Sequence, residues 1–223
     1  MNCKLLMEAI IKFASGVVII GLMIFLPAGS LHYWNGWLFM GILFGPMFIG
    51  GIVLMIKNPQ LLKSRLKAKE KDSEQKVVIL FSGIMFLIGF ILCGLNYRFA
   101  WIVMPKWVVF LSTIIFLNAY ILYAEVLREN TYLSRTIEIQ EGQKIIDTGL
   151  YGIVRHPMYL ATVLLFLAIP LVLGFIISFL IFLVYPVIIA KRIRNEEKML
   201  EEQLVGYKEY KQKVKYKLMP LIW

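Results

Sequence analysis

The sequence predicts an all-α fold, a polytopic transmembrane helical bundle of about six membrane helices with an amphipathic C-terminal helix on the cytoplasmic side. Three observations predict it. Hydrophobic residues make up 60% of the 223 and the mean hydropathy is +0.75, so most of the chain must dissolve in lipid. Apolar runs of about 15 to 22 residues recur, near the roughly 20 that a helix needs to cross a bilayer. Charges gather between those runs.

Taken in order, the predicted spans are Ile11–Leu26, Trp37–Ile56, Val77–Asn96, Trp107–Leu127, Met158–Leu173 and Gly174–Ala190. The last two have almost no connector and read as a tight hairpin, whose helix-breaking residues need neighbouring protein to cover the freed backbone groups. A secretory signal peptide is the rival reading of Met1–Ser30, weakened by the span that follows at once. With 223 residues nearly used up by spans and connectors, one integral domain is expected. Its N-terminal helices run over 1–127 and its C-terminal region over 128–223.

Orientation follows from the basic connectors. The Lys57–Lys76 stretch carries six lysines and Arg65, whereas Ala28–Gly36 carries no charge. The Lys57–Lys76 connector and both termini are therefore expected in the cytoplasm. Lys63–Lys76 reads as a solvated charged loop. The net charge of +10 is spread over juxtamembrane segments, where anionic lipid is the nearer partner, so nucleic acid is excluded. Cys3 and Cys93 have no ligand-like spacing with the two histidines, so no metal site is predicted.

Two polar clusters stand out against this background. Arg155-His156-Pro157-Met158-Tyr159 precedes the fifth span, and Arg192-Ile193-Arg194-Asn195-Glu196-Glu197 follows the sixth. Charge beside hydrocarbon is costly and is kept for function, pairing or anchoring. Proline favours the first helical turn and drives its predecessor out of the α region, so Pro157 should start the fifth span with His156 just outside it. The free N–H groups there, beside Arg155, make a seat for a carboxylate or phosphate. Asp147–Val154 is turn-prone and suited to close approach by a ligand. In the tail, Ile193, Glu196, Glu197, Leu200, Leu204 and Tyr207 fall within about 60° of one direction on an ideal helix. Two carboxylates thus interrupt an apolar stripe, while Glu201 and Glu202 read as solvated charges. Glu197→Ala or His156→Ala is expected to disturb the site and leave the spans intact.

Gly149-Leu-Tyr-Gly-Ile-Val-Arg-His-Pro-Met-Tyr159, a hydrophobic hairpin, Arg192-Ile-x-x-Glu-Glu197, Leu200, Gly206-Tyr207-x-x-Tyr210 and Pro220 together resemble the isoprenylcysteine carboxyl methyltransferase family. Its relatives include phospholipid N-methyltransferases and many bacterial proteins. The resemblance covers about Asn130 to Pro220 and implies an S-adenosylmethionine-dependent methyltransferase of the bacterial cytoplasmic membrane. The acceptor is then lipid-borne or prenylated and reaches a cytoplasmic site sideways from the bilayer. The resemblance implies cofactor contacts from Tyr151, His156, Pro157, Tyr159, Leu160, Glu196, Glu197 and Tyr207, with Arg155, Arg192 and Glu196 at the reacting groups. A carboxylate acceptor needs only an orienting arginine, Arg155 or Arg192; a phenol, enol or amine needs a base, His156 or a glutamate. An NADPH-dependent membrane reductase is the alternative, disfavoured by the missing Gly-x-Gly-x-x-Gly turn, and a non-catalytic membrane protein is the third reading. No oligomeric state is assigned.

Overall fold

The computed structural model describes residues 3–66, 73–134, 139–140 and 142–223, with backbone only at 73–75. Among them the chain is all helical: α1 (Cys3–Ala28), α2 (Trp34–Lys57), α3 (Pro59–Leu66), α4 (Ser73–Phe99), α5 (Lys106–Glu129), a 3₁₀ turn (Gly149–Gly152), α6 (Pro157–Val172), α7 (Ile176–Phe182), α8 (Val184–Gln203) and α9 (Tyr207–Lys213). Among the described residues five helical stretches are long and apolar enough to cross a membrane, the last formed by α7 and α8 together, and α6 is a shorter apolar helix. The protein is an integral membrane protein. Large apolar side chains such as Ile19, Ile49, Phe81 and Phe110 point outward, as a lipid-facing belt requires.

α1 packs along α4 and α5 along α6. The α1–α4 contact is close because Gly94 has no side chain: a Cβ there would stand 2.6 Å from the Ile24 carbonyl oxygen. One apolar core runs through the bundle, drawing Ile24 from α1, Phe39 from α2, Phe90 from α4, Phe116 from α5, Ile169 from α6 and Ile193 from α8. The predicted N-terminal and C-terminal regions therefore share their interior.

Two expectations need correction. The sixth span is not a straight helix ending at Ala190. It breaks at Leu183 and then continues to Gln203. Pro186 explains the break, since its ring removes an N–H and clashes with the carbonyl four residues back, that of Phe182. The amphipathic tail is thus the extension of α8 and not a separate helix. Part of the expected charged loop at Lys63–Lys76 is also helical, because α3 reaches Leu66 and α4 starts at Ser73; residues 67–72 lie outside the described residues.

The two ends of the bundle differ in chemistry. At the end holding the α1–α2, α4–α5 and α6–α7 connections, α6 stops early. Its 16 residues rise only about 24 Å, short of the roughly 30 Å hydrocarbon core. Freed carbonyls there need partners. Asn35 Nδ2 donates to Val172 (2.8 Å), the Tyr33 hydroxyl to Leu173, and Asn96 Nδ2 to Gly174 (3.3 Å) and Ile102 (3.0 Å). The opposite end carries the basic connectors, where Lys12 donates from α1 to the Leu66 carbonyl closing α3. Both polar clusters lie at this basic end.

Candidate functional site

The entrance to α6 is built from Gly149 onward. Gly149 sits at φ +53°, and a Cβ there would fall 1.7 Å from Glu129 Oε1. The space is taken because the Glu129 carboxylate accepts the Leu150 N–H at 3.0 and 3.2 Å, which ties the 3₁₀ turn to the end of α5. The glycine thus serves close approach by a protein carboxylate and not by a ligand. Pro157 then opens α6 at its first turn, with His156 at the N-cap in a non-helical conformation, as the proline predicts.

Two backbone N–H groups just before α6 are already used. Arg155 N–H donates to Tyr216 (2.9 Å) and His156 N–H to Lys217 (2.8 Å). A C-terminal strap, Val214–Lys217, therefore lies directly before the α6 entrance, next to the place where the sequence suggested a seat for an anion. The Arg155 guanidinium holds the same strap through Nη1, at 2.6 Å from the Val214 and 2.8 Å from the Lys215 carbonyl oxygens.

Behind the entrance lies a buried ionic junction centred on Glu197. Its Oε1 accepts from Arg155 Nε at 2.8 Å and faces His156 Nε2 at 3.2 Å; Lys217 Nζ stands 3.0 Å and Lys211 Nζ 4.0 Å from Oε2. Glu197, Arg155 and His156 are 3%, 5% and 6% exposed, so each charge depends on the others for solvation. Removing Glu197 without structural consequence, as its place in the sequence suggested, is not compatible with this burial.

Glu196 turns the other way, since successive helical residues diverge by about 100°. Its Oε2 accepts from the Tyr159 hydroxyl at 2.5 Å, which accepts in turn from Arg192 Nε at 2.9 Å. Arg192 also stands over the Tyr159 ring, 5.9 Å from its centroid, and the His156 ring stacks on the Tyr159 ring with centroids 5.7 Å apart. These groups face a cleft of ≈ 850 Å³, open mouth included, with ≈ 110 Å³ reachable by the centres of water molecules. That is room for several waters, since one needs about 10–15 Å³.

Of the residues singled out in the sequence, the fold brings Tyr151, Arg155, His156, Tyr159, Arg192, Glu196 and Tyr207 to this cleft. It does not bring Pro157, Leu160 or Glu197 to its lining. Sequence reasoning missed Asn130, Tyr132, Met158, Met199 and Tyr210, which also line it, and it missed Lys217 at the junction. Met158 and Tyr210 stood in the quoted motifs with no role assigned; the others carry no local signal, because they reach the cleft from a connector or from unremarkable helical positions.

The tail folds over the cleft because Gly206, at φ +86°, reverses the chain after α8. Tyr207, Tyr210 and Val214 form a small second core with Ile145, Leu200 and Leu204 packed against it. Tyr210 donates to the Tyr151 carbonyl at 2.7 Å. The Tyr207 hydroxyl is buried and has no hydrogen-bond partner among the described residues. Burial, with the charges of Glu197 and Glu196 adding to it, pushes the Tyr207 hydroxyl far above the ordinary phenol range, so it stays a neutral donor. An orphaned donor at the wall of a polar cleft is costly unless a ligand completes it.

Residues 110–202 match the isoprenylcysteine carboxyl methyltransferase (ICMT) family. Over this region the chain is similar to that family. It is a methyltransferase family, and its match begins at Phe110 within α5, earlier than the motif alone suggested, and ends at Glu202 near the close of α8. Both polar clusters fall inside the ICMT region. The strap and α9 lie beyond it.

Proposed function

We propose that the protein is an S-adenosylmethionine-dependent methyltransferase acting on the carboxylate or other polar head of a lipid-borne acceptor. The observation that carries this reading is the cleft lined by the Tyr207 side chain, whose hydroxyl is orphaned, and by Glu196, Tyr159 and Arg192, which form one hydrogen-bonded chain within the residues similar to the ICMT family. S-adenosylmethionine supplies an electrophilic methyl group on a sulfonium, which leaves as a neutral thioether.

The donor set fits such a molecule, which presents a carboxylate, an ammonium, a ribose diol and an adenine ring. Glu196 accepts hydrogen bonds from the diol or the ammonium, and the Tyr207 hydroxyl supplies the missing donor bond. Arg192 is the cation for a carboxylate. Tyr132, Tyr151 and Tyr159 give aromatic surface, whose faces attract a cation, and Met158 and Met199 give soft apolar walls. Arg155 and Glu197 act from behind, fixing His156 and the strap so that the cleft keeps its shape.

For a carboxylate acceptor, already ionised at neutral pH, these residues need only align the reacting atoms and exclude water. For an amine or phenol, Glu196 is the base in reach of the cleft, because His156 is held against Glu197. The site lies at the basic end of the bundle, which we assign to the cytoplasm by the distribution of lysines.

Equilibrium binding of labelled S-adenosylmethionine to purified protein in detergent tests the proposal, followed by incubation of donor and protein with total membrane lipid. Saturable binding and label in a lipid are expected. Absence of binding, or saturable binding of NADPH instead, overturns it.

A further inference from the structure

Arg65 belongs to α3, outside the matched family region. It is half-buried at the basic end of the bundle. Its Nη1 donates to the Ser134 carbonyl at 2.9 Å and lies 3.7 Å from the Met158 sulfur; its Nη2 donates to the Tyr123 hydroxyl, and the guanidinium stands over the Tyr123 ring at 5.6 Å. Every one of these partners is neutral. Among the described residues no carboxylate is ion-paired with Arg65, although Glu125, Asp147 and Glu197 each have a cation.

A guanidinium beside the hydrocarbon without a counter-charge is expensive, and several neutral hydrogen bonds offset that cost only in part. The side chain is also aimed. Ser134 and Met158, which it touches, both line the cleft, so Arg65 stands on the outer side of the cleft wall with one methionine side chain between. The rest of this face is apolar or weakly polar: Thr162 and Phe166 follow Met158 at helical spacing on α6, and Phe166 packs on Tyr185 of α8.

We infer that Arg65 is the anchor for the anionic head of a lipid-tailed molecule, held at the membrane-facing wall of the cleft. This deepens the methyltransferase reading and rests on it for the identity of that molecule as the acceptor. The recognised chemistry is an oxyanion, carboxylate or phosphate, that the planar guanidinium binds through the fork of its N–H groups.

The test uses the full chain in detergent at one fixed micelle concentration, with three probes of equal tail: oleate, oleoyl lysophosphatidic acid and oleyl alcohol. Wild-type protein should bind at least one of the anionic probes about tenfold more tightly than the alcohol. Preference for oleate assigns a carboxylate head, and preference for the lysophospholipid assigns a phosphate. Arg65→Met should abolish the preference, and Arg65→Lys, which keeps the charge but not the fork and guards against a folding defect, should retain part of it. S-adenosylmethionine binding should be unchanged in both variants, because Arg65 lies outside the cleft.

Equal binding of anionic and neutral probes by the wild type, or a preference that survives Arg65→Met, overturns the inference. Loss of S-adenosylmethionine binding in Arg65→Met alone also overturns it, by placing the residue on the cofactor side. Failure of the wild type to bind S-adenosylmethionine refutes the methyltransferase reading instead, and the three-probe comparison still decides on Arg65.

Discussion

Tyr207→Phe should make the protein more stable and a poorer binder. The residue is 4% exposed, and its hydroxyl has no partner among the described residues. A buried polar group left unsatisfied costs about 1–3 kcal/mol, so deleting the oxygen while keeping the ring should raise the unfolding free energy of the ligand-free protein by about that much. If the hydroxyl completes a bound S-adenosylmethionine, its loss removes one neutral hydrogen bond, about 0.5–1.5 kcal/mol. That corresponds to about 2- to 13-fold in Kd. The two effects have opposite signs, which a general packing defect cannot produce. Denaturant or thermal unfolding in detergent, with and without ligand, reads both. At a concentration near 100 times the wild-type Kd the ligand adds about 2.7 kcal/mol to the wild type, but only about 1.4 kcal/mol to a variant binding tenfold more weakly. The variant's advantage should therefore shrink by about 1.3 kcal/mol on adding ligand. Tyr210→Phe is the control, because the Tyr210 hydroxyl donates to the Tyr151 carbonyl at 2.7 Å and its removal should destabilise. A Tyr207→Phe protein less stable than wild type without ligand would refute the reasoning, since the hydroxyl would then have a partner.

Glu197→Ala leaves Arg155 and His156 buried without their carboxylate, and should cost about 3–5 kcal/mol; unfolding measurements and faster proteolysis of the released tail check this. Asn35→Leu strips the Val172 carbonyl of its donor and should cost about 1–3 kcal/mol, with cofactor affinity unchanged because the site is at the other end of the bundle. Gly149→Ala puts a Cβ onto Glu129 at positive φ and should destabilise by about 1–3 kcal/mol. The same variant should weaken ligand binding, as the 3₁₀ turn carrying Tyr151 shifts; binding and unfolding assays on one preparation show both.

Local chemistry was readable from the chain. Pro157 placed the start of α6 and put His156 outside it, because a proline ring limits its own φ and its neighbour's conformation whatever surrounds them. The long spans were readable because lipid allows few alternatives to a helix. The break at Leu183 is encoded by Pro186, whose signal the surrounding apolar run masks. The roles of Glu196 and Glu197 were not readable. Periodicity put both on one face, and only the folded chain turns one toward the cleft and the other into an ionic junction. The strap was invisible for a simpler reason: it bonds through backbone carbonyls at Val214, Lys215, Tyr216 and Lys217, which every residue possesses.

The amino-acid sequence thus determined by itself that this chain spans a membrane, that α6 begins at Pro157, and which two polar clusters are the candidates for its site, since hydropathy and proline act within a few residues. Tertiary structure alone decided which members of those clusters face open space and which hold the protein together. It also brought Arg65 from a distant helix to the cleft wall. Those outcomes depend on contacts between segments up to about a hundred residues apart, and such contacts are set by how helices pack and not by any local pattern.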